Sequence, residues 1–586
     1  MLSAQLSNVP PGQTRIVNIY PGAKSNSSPN VPASPDWNLE LEAQVDDGNG
    51  GMTTLVAQPQ ADLVKQIKDS TGRRLAGAVA SEYTVALPFK NKATGVQHPH
   101  LTARLHTRLV DGGQRIRTDV VLENTRTWTA NPGNLTYSLD VKRNGSTIYT
   151  QPKFTHYHHA RWHKVLWTGS SAEPQARVRH NMPYFVASKA IWNYDLSVNI
   201  PESVLSGFYN QFTQRKASQA SLGPMANLML TPAFGTTGGR VEIGPVPQWT
   251  AMYLISQDER MKEVMLAHAD AAGSVPVHYR DESSDQALDL VRYPKVATWN
   301  ATSESQPALP ALTNASTIWA QDTAHQGSFA YVPYLITGDA FLQDELTYWP
   351  AWNLTAKNPY YRGYGQGLLW EDQVRGQAWT LRALGDASRI LPNTHPMKAY
   401  FQDYLSKNLE WFYQNWIVSP RPDVWPMGSP VDAYSIGYVG PWMNDFWAIV
   451  MAQHAENGEP KAKELLNWAS KFGVGRFLNE EQGFCIAKAP SYFWKTKNSK
   501  DQWITSWSEL AQVNFPGVSC NSSLEIEPGS YPASAGGYAA NARAMLATAS
   551  DLGVLNAASA YATWKAKTPL IDKDYPNDPT WAIIPR

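Results

Sequence analysis

Apolar and polar residues alternate along the first third of the chain, between short turn signals. The alternation is clearest in LTARLHTRLV (101–110), RIRTDVVLEN (115–124), LTYSLDVKRNG (135–145) and STIYTQPKF (146–154). Because successive side chains of a strand point to opposite faces, this period predicts β-strands, and Asn144-Gly145 predicts a tight hairpin turn. Long alternating strands joined by such turns favour an antiparallel β-sandwich, which we assign to residues 1–200.

From about residue 240 the apolar period becomes helical, and one pattern recurs five times. An apolar helix ends in a short polar turn that leads into a second helix. The turns are SQDERMKE (256–263), TGDAFLQDE (337–345), LPNTHPMKA (391–399), NGEPKAKE (457–464) and DLGVLNAAS (551–559). The recurrence predicts stacked antiparallel helical hairpins.

The segments between these hairpins are much longer, at 273–322, 354–371, 419–440 and 475–532. Short turns at one end and long loops at the other are typical of an (α/α) toroid, whose long loops crowd one mouth. An open α-solenoid is the alternative, although its loops are normally more uniform. The predicted fold class is therefore α+β multidomain: an N-terminal antiparallel β-sandwich, then an (α/α) toroid of five to six hairpins over residues 201–586. A sixth hairpin would use 201–217 or part of 475–532.

Composition narrows the range of partners. The chain has 586 residues, too many for one ordinary core, with 50 basic and 50 acidic side chains. A net charge near zero gives no broad attraction to nucleic acid or anionic membrane, so we expect neither as a partner. The 23 tryptophans and 27 tyrosines suit either large aromatic cores or amphipathic surfaces against which sugar rings stack.

Cysteines and the terminal sequence bear on the compartment. Cys485 and Cys520 are the only cysteines, too few for a cysteine zinc site but enough for one disulfide. The first residues, MLSAQLSNVPPGQ, lack the basic and apolar stretches of a signal peptide, and no apolar run approaches a membrane span of about 20 residues. We nevertheless expect an extracellular or periplasmic location. The oligomeric state is not predicted.

In a toroid, the stretches before each first helix converge at the mouth. They are 235–249, 321–331, 360–379, 432–447 and 527–541, and their carboxylates are Glu242, Asp322, Glu371, Asp372, Asp432, Asp445 and Glu527. Glycoside hydrolysis needs two carboxylates, one as general acid and one as base or nucleophile. Glu371, Asp372 and Asp322 are the leading candidates because aromatic, arginine and histidine residues surround them, and Asp445 follows. The alternative is that these acids only cap helices.

Aromatic and cationic residues at the same mouth predict a sugar-binding surface. Trp249, Trp370, Trp379 and Trp442 would stack on sugar rings, while Arg240, Arg362 and Arg375 would hold acidic groups. The remaining predicted substrate contacts are Glu242, Arg280, Gln377 and Asn444.

The same loops also allow lyase chemistry. Elimination on a uronate needs a group that neutralises the carboxylate, a base and an acid, which arginine, histidine and tyrosine can supply. The candidates are His278, Tyr279, His325 and Tyr361, with Arg280. The alternative is that Arg280 only pairs with Asp281.

No metal or cofactor is predicted. In THYHHARWHKVLW (155–167), His156 and His158 share one strand face but give only two of the three ligands that a metal site needs. There is no P-loop, no dinucleotide fingerprint and no Gly-x-Ser-x-Gly elbow in a strand–turn–helix context.

The predicted layout resembles carbohydrate-active enzymes that pair a β-sandwich with an (α/α) toroid. Within it, Arg375-Gly-Gln-Ala-Trp379 resembles the RGQAW helix start of unsaturated glucuronyl hydrolases, which implies that Arg375, Gln377 and Trp379 line a pocket. The resemblance carries over to these three residues and no others. A sandwich before a toroid is more usual among glycoside hydrolases and phosphorylases than among toroidal lyases.

We therefore expect an enzyme that hydrolyses glycosidic bonds of a polysaccharide or oligosaccharide in the toroid mouth. A polysaccharide lyase is the close alternative. A glycan-binding or structural protein without catalysis is the third possibility, and it would bind glycans without turnover.

Overall fold

A computed structural model describes residues 10, 12–20, 31–46, 50–169, 177–236, 239–518 and 536–586. The protein is α+β, with an antiparallel sheet in the first part of the chain and mostly helices after it. Glu527 and Cys520, both considered above, lie outside the described residues. Cys485 is disulfide-bonded.

Nine strands form one antiparallel sheet in the described part of the chain. They are β1 Leu39–Asp46, β2 Met52–Ala57, β3 Arg73–Ala76, β4 Ala80–Asn91, β5 Gln97–Val110, β6 Arg115–Asn124, β7 Leu135–Arg143, β8 Ser146–His156 and β9 Ala160–Gly169. The order across the sheet is β8-β7-β1-β2-β4-β5-β6-β9, with β3 paired to β4. Four strands predicted from alternation are confirmed as β5 to β8.

The hairpin between β7 and β8 follows from its two turn residues. Asn144 and Gly145 have positive φ angles of 50° and 80°, the backbone conformation that a two-residue hairpin turn requires. Arg143 and Ser146 pair on either side of them. The predicted tight turn is therefore confirmed.

All nine strands belong to a single hydrogen-bonded sheet. Alternation gives the sheet a buried face: in β1, Leu41 and Ala43 are buried while their neighbours are half-buried. The antiparallel sheet is thus present, and its arrangement as a sandwich of two layers stays a prediction.

The helices occupy most of the chain after the sheet. They are α1 Gln60–Asp69 (within the sheet region), α2 Met182–Ala187, α3 Glu202–Ser218, α4 Gln248–Ser256, α5 Glu259–Ala272, α6 Tyr331–Thr337, α7 Ala340–Thr355, α8 Val374–Ile390, α9 Lys398–Tyr413, α10 Pro441–Glu456, α11 Pro460–Gly473, α12 Trp507–Asn514, α13 Tyr538–Asp551, α14 Ala557–Lys567 and α15 Pro569–Asp574. Two short ladders lie among them: β10 Arg280–Asp281 with β11 Gln286–Ala287, and β12 Tyr438–Val439 with β13 Trp494–Lys495.

The five predicted helical hairpins are confirmed as α4/α5, α6/α7, α8/α9, α10/α11 and α13/α14. The first helix of each pair is largely buried, as in α10 and α13, where apolar or small residues lie on every side and only a few buried residues are polar. Helix α10 packs against both α8 and α13. Residues 201–217, a candidate for a sixth hairpin, form α3, which packs on α5. Closure of the hairpins into a toroid stays a prediction.

Buried charges join the sheet to α7. Arg161 of β9 is fully buried and lies 3.3 Å from the carboxylates of both Asp344 and Glu345. Arg280 lies 2.7 Å from Glu123 of β6 and 3.1 Å from Asp344. Removing one member of such a buried network leaves an unpaired charge away from water, so the network fixes how the sheet meets the helices.

His163 of β9 makes a second junction. Its Nδ1 lies 2.6 Å from Asp119 of β6, and its Nε2 lies 2.8 Å from Asp270 of α5. The ring stacks on Phe341 of α7 with a centroid distance of 3.9 Å. Burial alone would lower the pKa of His163, but the two carboxylates outweigh it and raise that pKa to about 10. A charged imidazole therefore links the sheet to two helices.

Residues 577–584 return to the segment that follows the sheet. Asn193 donates from Nδ2 to the carbonyl of Ile584 over 2.8 Å, and Tyr194 pairs with Ile583. Trp581 stacks on Phe446 of α10 with ring centroids 5.3 Å apart. Residues far apart in the sequence thus close one side of the helical part.

Candidate functional site

Arg375 lies in the first turn of α8, at the centre of a cluster of carboxylates and aromatic rings. Its Nε donates to Gln373 Oε1 over 2.6 Å. Its guanidinium lies over the ring of Trp442, 5.1 Å from the centroid. Burial lowers the pKa of Arg375, and the charge of Asp322 opposes this shift. The side chain is a partly buried cation next to a carboxylate.

Asp322 lies in the loop before α6. Its Oδ1 accepts hydrogen bonds from the backbone N–H groups of Ala324 (2.9 Å) and His325 (2.8 Å), and His325 Nδ1 is 2.7 Å from its Oδ2. Burial would raise the pKa of Asp322, but these hydrogen bonds and the histidine lower it below its usual value. Asp322 is therefore held as a carboxylate ion.

Asp432, in the loop before α10, has the opposite environment. It is 6% exposed, and its Oδ1 accepts a hydrogen bond from the backbone N–H of Tyr434 over 3.0 Å. The backbone N–H of Val374, the first residue of α8, is a second hydrogen-bond donor to this carboxyl. Burial raises the pKa of Asp432, the two backbone hydrogen bonds oppose this shift, and the charges of Asp372 and Arg375 add to it and oppose it in turn. The net result is a pKa above the usual value of an aspartate.

Asp372 braces the loops that carry these two acids. Its carboxylate contacts Lys357 Nζ and accepts a hydrogen bond from Thr323 Oγ1 over 3.2 Å, next to Asp322. Gln377 Nε2 donates to the carbonyls of Asp372 (2.9 Å) and Val431 (3.0 Å). Val431, the residue before Asp432, is thus tied to the start of α8. Asp372 and Gln377 therefore hold the loops of Asp322 and Asp432 in place.

An aromatic wall borders Arg375. Trp442 in the first turn of α10 stacks on Tyr538, the first residue of α13, with centroids 5.2 Å apart and planes 12° apart. Tyr492 lies on the same tryptophan at 5.9 Å, and Trp442 Nε1 donates to the Tyr492 carbonyl over 3.1 Å. The loop before α6 and the first turns of α8, α10 and α13 therefore meet at one place.

Glu371 is a further acid near the cluster. Burial raises the pKa of Glu371, and Arg421 opposes the shift. Arg421 lies over the ring of Trp370, 4.2 Å from its centroid, and Trp370 stacks on Trp411 at 5.5 Å. Arg421 also lies 5.6 Å from the centroid of Trp411, so this cation and the two rings form one packed group that anchors the loop.

Several predicted site residues lie apart from the cluster. Asp445 is buried and paired with Arg476. Arg362 is buried and donates to backbone carbonyls of neighbouring loops. The fully buried predicted contacts are Trp249, which stacks on His268 at 4.1 Å, with Trp379 and Asn444.

Arg240 and Glu242 form an ion pair that contacts the loop of His325. Arg240 Nε lies 2.9 Å from Glu242 Oε1, and its Nη2 donates to the carbonyl of His325 over 2.9 Å. The pair therefore holds the loop in which His325 contacts Asp322.

The residues predicted for lyase chemistry do not come together. His278 and Arg280 are buried at the junction of sheet and α7, where His278 Nε2 lies 2.9 Å from Glu345. Tyr279 stacks on His159 with centroids 3.9 Å apart. Tyr361 is exposed in the loop before α8, beside Tyr360. Only His325 lies in the cluster around Arg375.

The histidines of β8 and β9 have structural partners. His156 Nδ1 lies 3.0 Å from the Tyr137 hydroxyl, and its Nε2 lies 3.0 Å from the carbonyl of Ala160. Burial lowers the pKa of His156 to about 4. Across the described ranges, no group of three or more histidine, cysteine, aspartate or glutamate side chains is arranged to hold a metal ion.

Asp432 belongs to the carboxylates found in the sequence but was not selected there. What distinguishes it is burial close to Arg375, which cannot be deduced from its sequence neighbours. Tyr492 was missed altogether because it lies in the long segment after α11, away from the start of any first helix.

Among the helices that the structure describes, none combines the length and apolar character needed to cross a membrane. Comparison with protein-family models, curated proteins and solved structures finds no match for the chain.

Proposed function

We propose that the protein hydrolyses glycosidic bonds in the cluster around Arg375. The observation that carries the proposal is the pair of acids near that arginine, one half-buried and one buried, whose pKa values move in opposite directions. A glycosidase needs one protonated carboxyl as general acid and one ionised carboxylate as base or nucleophile. Asp432 would protonate the leaving oxygen, while Asp322, held ionised by His325, would activate water or attack the sugar.

The other residues of the cluster would bind and orient the substrate. The exposed edge of the aromatic wall next to Arg375 offers a surface on which a sugar ring can stack. Arg375 would donate to substrate oxygens, a role that agrees with the RGQAW resemblance. Gln377 and Asp372 would keep the loops of Asp432 and Asp322 at a fixed separation.

The proposed fold is a sandwich-like sheet followed by an (α/α) toroid with the substrate in its mouth. It is supported by five hairpins whose first helices are buried, and by the first turns of α8, α10 and α13, which meet beside Arg375. With this function we propose an extracellular or periplasmic location, where glycan polymers occur.

The direct test combines a substrate panel with two variants. Neutral and uronate-containing oligosaccharides are incubated with the protein, and new reducing ends are measured together with the ultraviolet absorbance of unsaturated sugars. We expect reducing ends without that absorbance. Asp432→Asn and Asp322→Asn should each lower kcat about 100- to 10,000-fold, the usual contribution of acid–base catalysis. The control Asp501→Asn changes an exposed acid and should keep full activity.

The pH profile tests the assignment of roles. Asp322 must be ionised and Asp432 protonated, so kcat/KM should rise as Asp322 loses its proton and fall at higher pH as Asp432 loses its own. The directions of the two pKa shifts widen this active range. If the falling limb persists in residual activity of Asp432→Asn, the role given to Asp432 is wrong.

A lyase is the second candidate because Arg375 lies near two tyrosines, Tyr492 and Tyr538. Arg375 would neutralise a uronate carboxylate, and Tyr492, which is exposed, would remove the proton next to it. Unsaturated sugars in the substrate panel would favour the lyase. Glycan binding with neither unsaturated sugars nor new reducing ends would favour a glycan-binding or structural protein.

A further inference from the structure

Three exposed aromatic rings form a row beside the proposed site. Tyr438, Phe493 and Tyr492 are 45%, 40% and 55% exposed. They come from β12 and from the loop just before β13. Adjacent apolar rings left in water are unfavourable, and such patches commonly mark a binding surface. We call these three residues the aromatic row.

The aromatic row is continuous with the cluster around Arg375. Tyr438 and Phe493 stack with centroids 5.2 Å apart and planes 13° apart, and Phe493 lies 6.1 Å from Tyr492. Tyr492 in turn stacks on Trp442 at 5.9 Å, and Arg375 lies over that tryptophan. The rings therefore lead from the solvent to Arg375, near which Asp322 and Asp432 lie.

The backbone holds the row in place before any ligand binds. Tyr438 pairs with Lys495, and Val439 with Trp494, in the ladder of β12 and β13. The Tyr492 carbonyl accepts the hydrogen bond of Trp442 Nε1. Rings fixed in this way lose little conformational entropy when a ligand stacks on them, which favours binding.

We propose that the aromatic row binds an extended polysaccharide chain, one part of which reaches Asp322 and Asp432. Sugar rings offer C–H faces that stack on aromatic rings and hydroxyls that reach the tyrosine hydroxyls or the exposed Lys495 amine. The class of ligand rests on the proposed function. Continuity of the row with the acids favours a glycan over a second protein, which would have no use for a path into the cluster. The preferred substrate is therefore a polymer.

The test measures binding of the whole protein to defined polymers. Native gels containing polygalacturonate, alginate, hyaluronan or xylan are run with the wild type and with Tyr438→Ala/Phe493→Ala. We expect at least one polymer to retard the wild type, and the Kd for that polymer to rise about tenfold in the variant, as expected for the loss of two ring contacts. The control is Tyr184→Ala, which removes an exposed ring on α2. Equal melting temperatures of all three proteins establish that they are folded.

Each outcome decides the matter. Unchanged affinity in the double variant, or no retardation of the wild type by any of the four polymers, overturns the inference. Hydrolysis of short oligosaccharides without polymer binding would support the proposed function and reject the role of the aromatic row. Polymer binding through the aromatic row without cleavage of any glycan would support that role and reject the proposed hydrolysis.

Discussion

Gly376, in the first turn of α8, lies directly against the carboxylate of Asp372. A methyl carbon added at Gly376 would lie 2.7 Å from Asp372 Cγ, closer than carbon atoms approach. Asp372 is held by Lys357 and Thr323, so it has little freedom to move aside. The glycine is therefore needed for space at the centre of the site.

Gly376→Ala should lower the free energy of unfolding by about 1–3 kcal/mol, the usual cost of overpacking a tight position. The matched control is Gly207→Ala in α3, where the added carbon meets nothing within 4 Å. It should stabilise the protein by about 0.5–1 kcal/mol, because alanine favours a helix. Urea unfolding measures the free energy of unfolding of both variants. A Gly376→Ala protein as stable as the wild type would contradict the close contact between Gly376 and Asp372.

At this scale the sequence predicts residue types better than residue environments. Arg375 and Asp322 could be selected because local composition marks them. Asp432 looks the same in sequence as Asp445, yet the first is buried close to Arg375 and the second is paired with Arg476 away from the cluster. Burial and pairing arise from contacts between distant segments, and a pattern of neighbours does not contain them.

At the scale of elements, Arg362 organises the loop before α8. Its Nη1 donates to the carbonyls of Leu354, Thr355 and Lys357, and its Nη2 donates to that of Pro294. Burial lowers the pKa of Arg362 to about 10. One buried cation thus joins two separate stretches of backbone, residues 354–357 and Pro294.

Arg362→Met should lower the free energy of unfolding by about 3 kcal/mol, since several buried carbonyls lose their donor. The loop itself should lose stability first, so amide hydrogen exchange should become faster in residues 354–368 before it does in α8. The control Arg73→Met, at an exposed position of β3, should change stability by less than about 0.5 kcal/mol. Unchanged exchange in the loop would show that other contacts hold it.

Periodicity predicts elements well in this chain. The four alternating strands and the five polar turns between helices all occur, because period and turn chemistry are local properties. The order of strands is not local: β1 lies between β7 and β2, and β6 lies next to β9. Neither pairing leaves a signal in the sequence, and for this reason the sheet could be predicted but its topology could not.

At the scale of the whole molecule, His163 makes the contact between sheet and helices depend on pH. Its pKa is raised in the folded protein to about 10 from a usual value of 6.5. Its stabilising effect is therefore complete below about pH 6.5 and is lost as the pH rises through about 10.

His163→Gln should be less stable than the wild type by about 3–5 kcal/mol at neutral pH, and part of this difference should disappear between about pH 7 and pH 10. The control is His180→Gln. Burial lowers the pKa of His180, so that side chain stays neutral across this range. The stability difference between His180→Gln and the wild type should therefore not change with pH. Urea midpoints at several pH values measure both. Parallel curves for the two variants would mean that His163 is not charged in the folded protein.

The pairing of residues 193–195 with residues 580–584 also has a consequence for synthesis on the ribosome. Asn193 and its partner are 391 positions apart in sequence. At an elongation rate of about 5–20 residues per second, the earlier segment waits roughly 20 to 80 s for its partner to be made. During that time Trp192 and Tyr194, buried in the finished protein, remain open to water. Nascent chains of this protein should therefore depend on chaperones that cover apolar segments until translation supplies the missing partner.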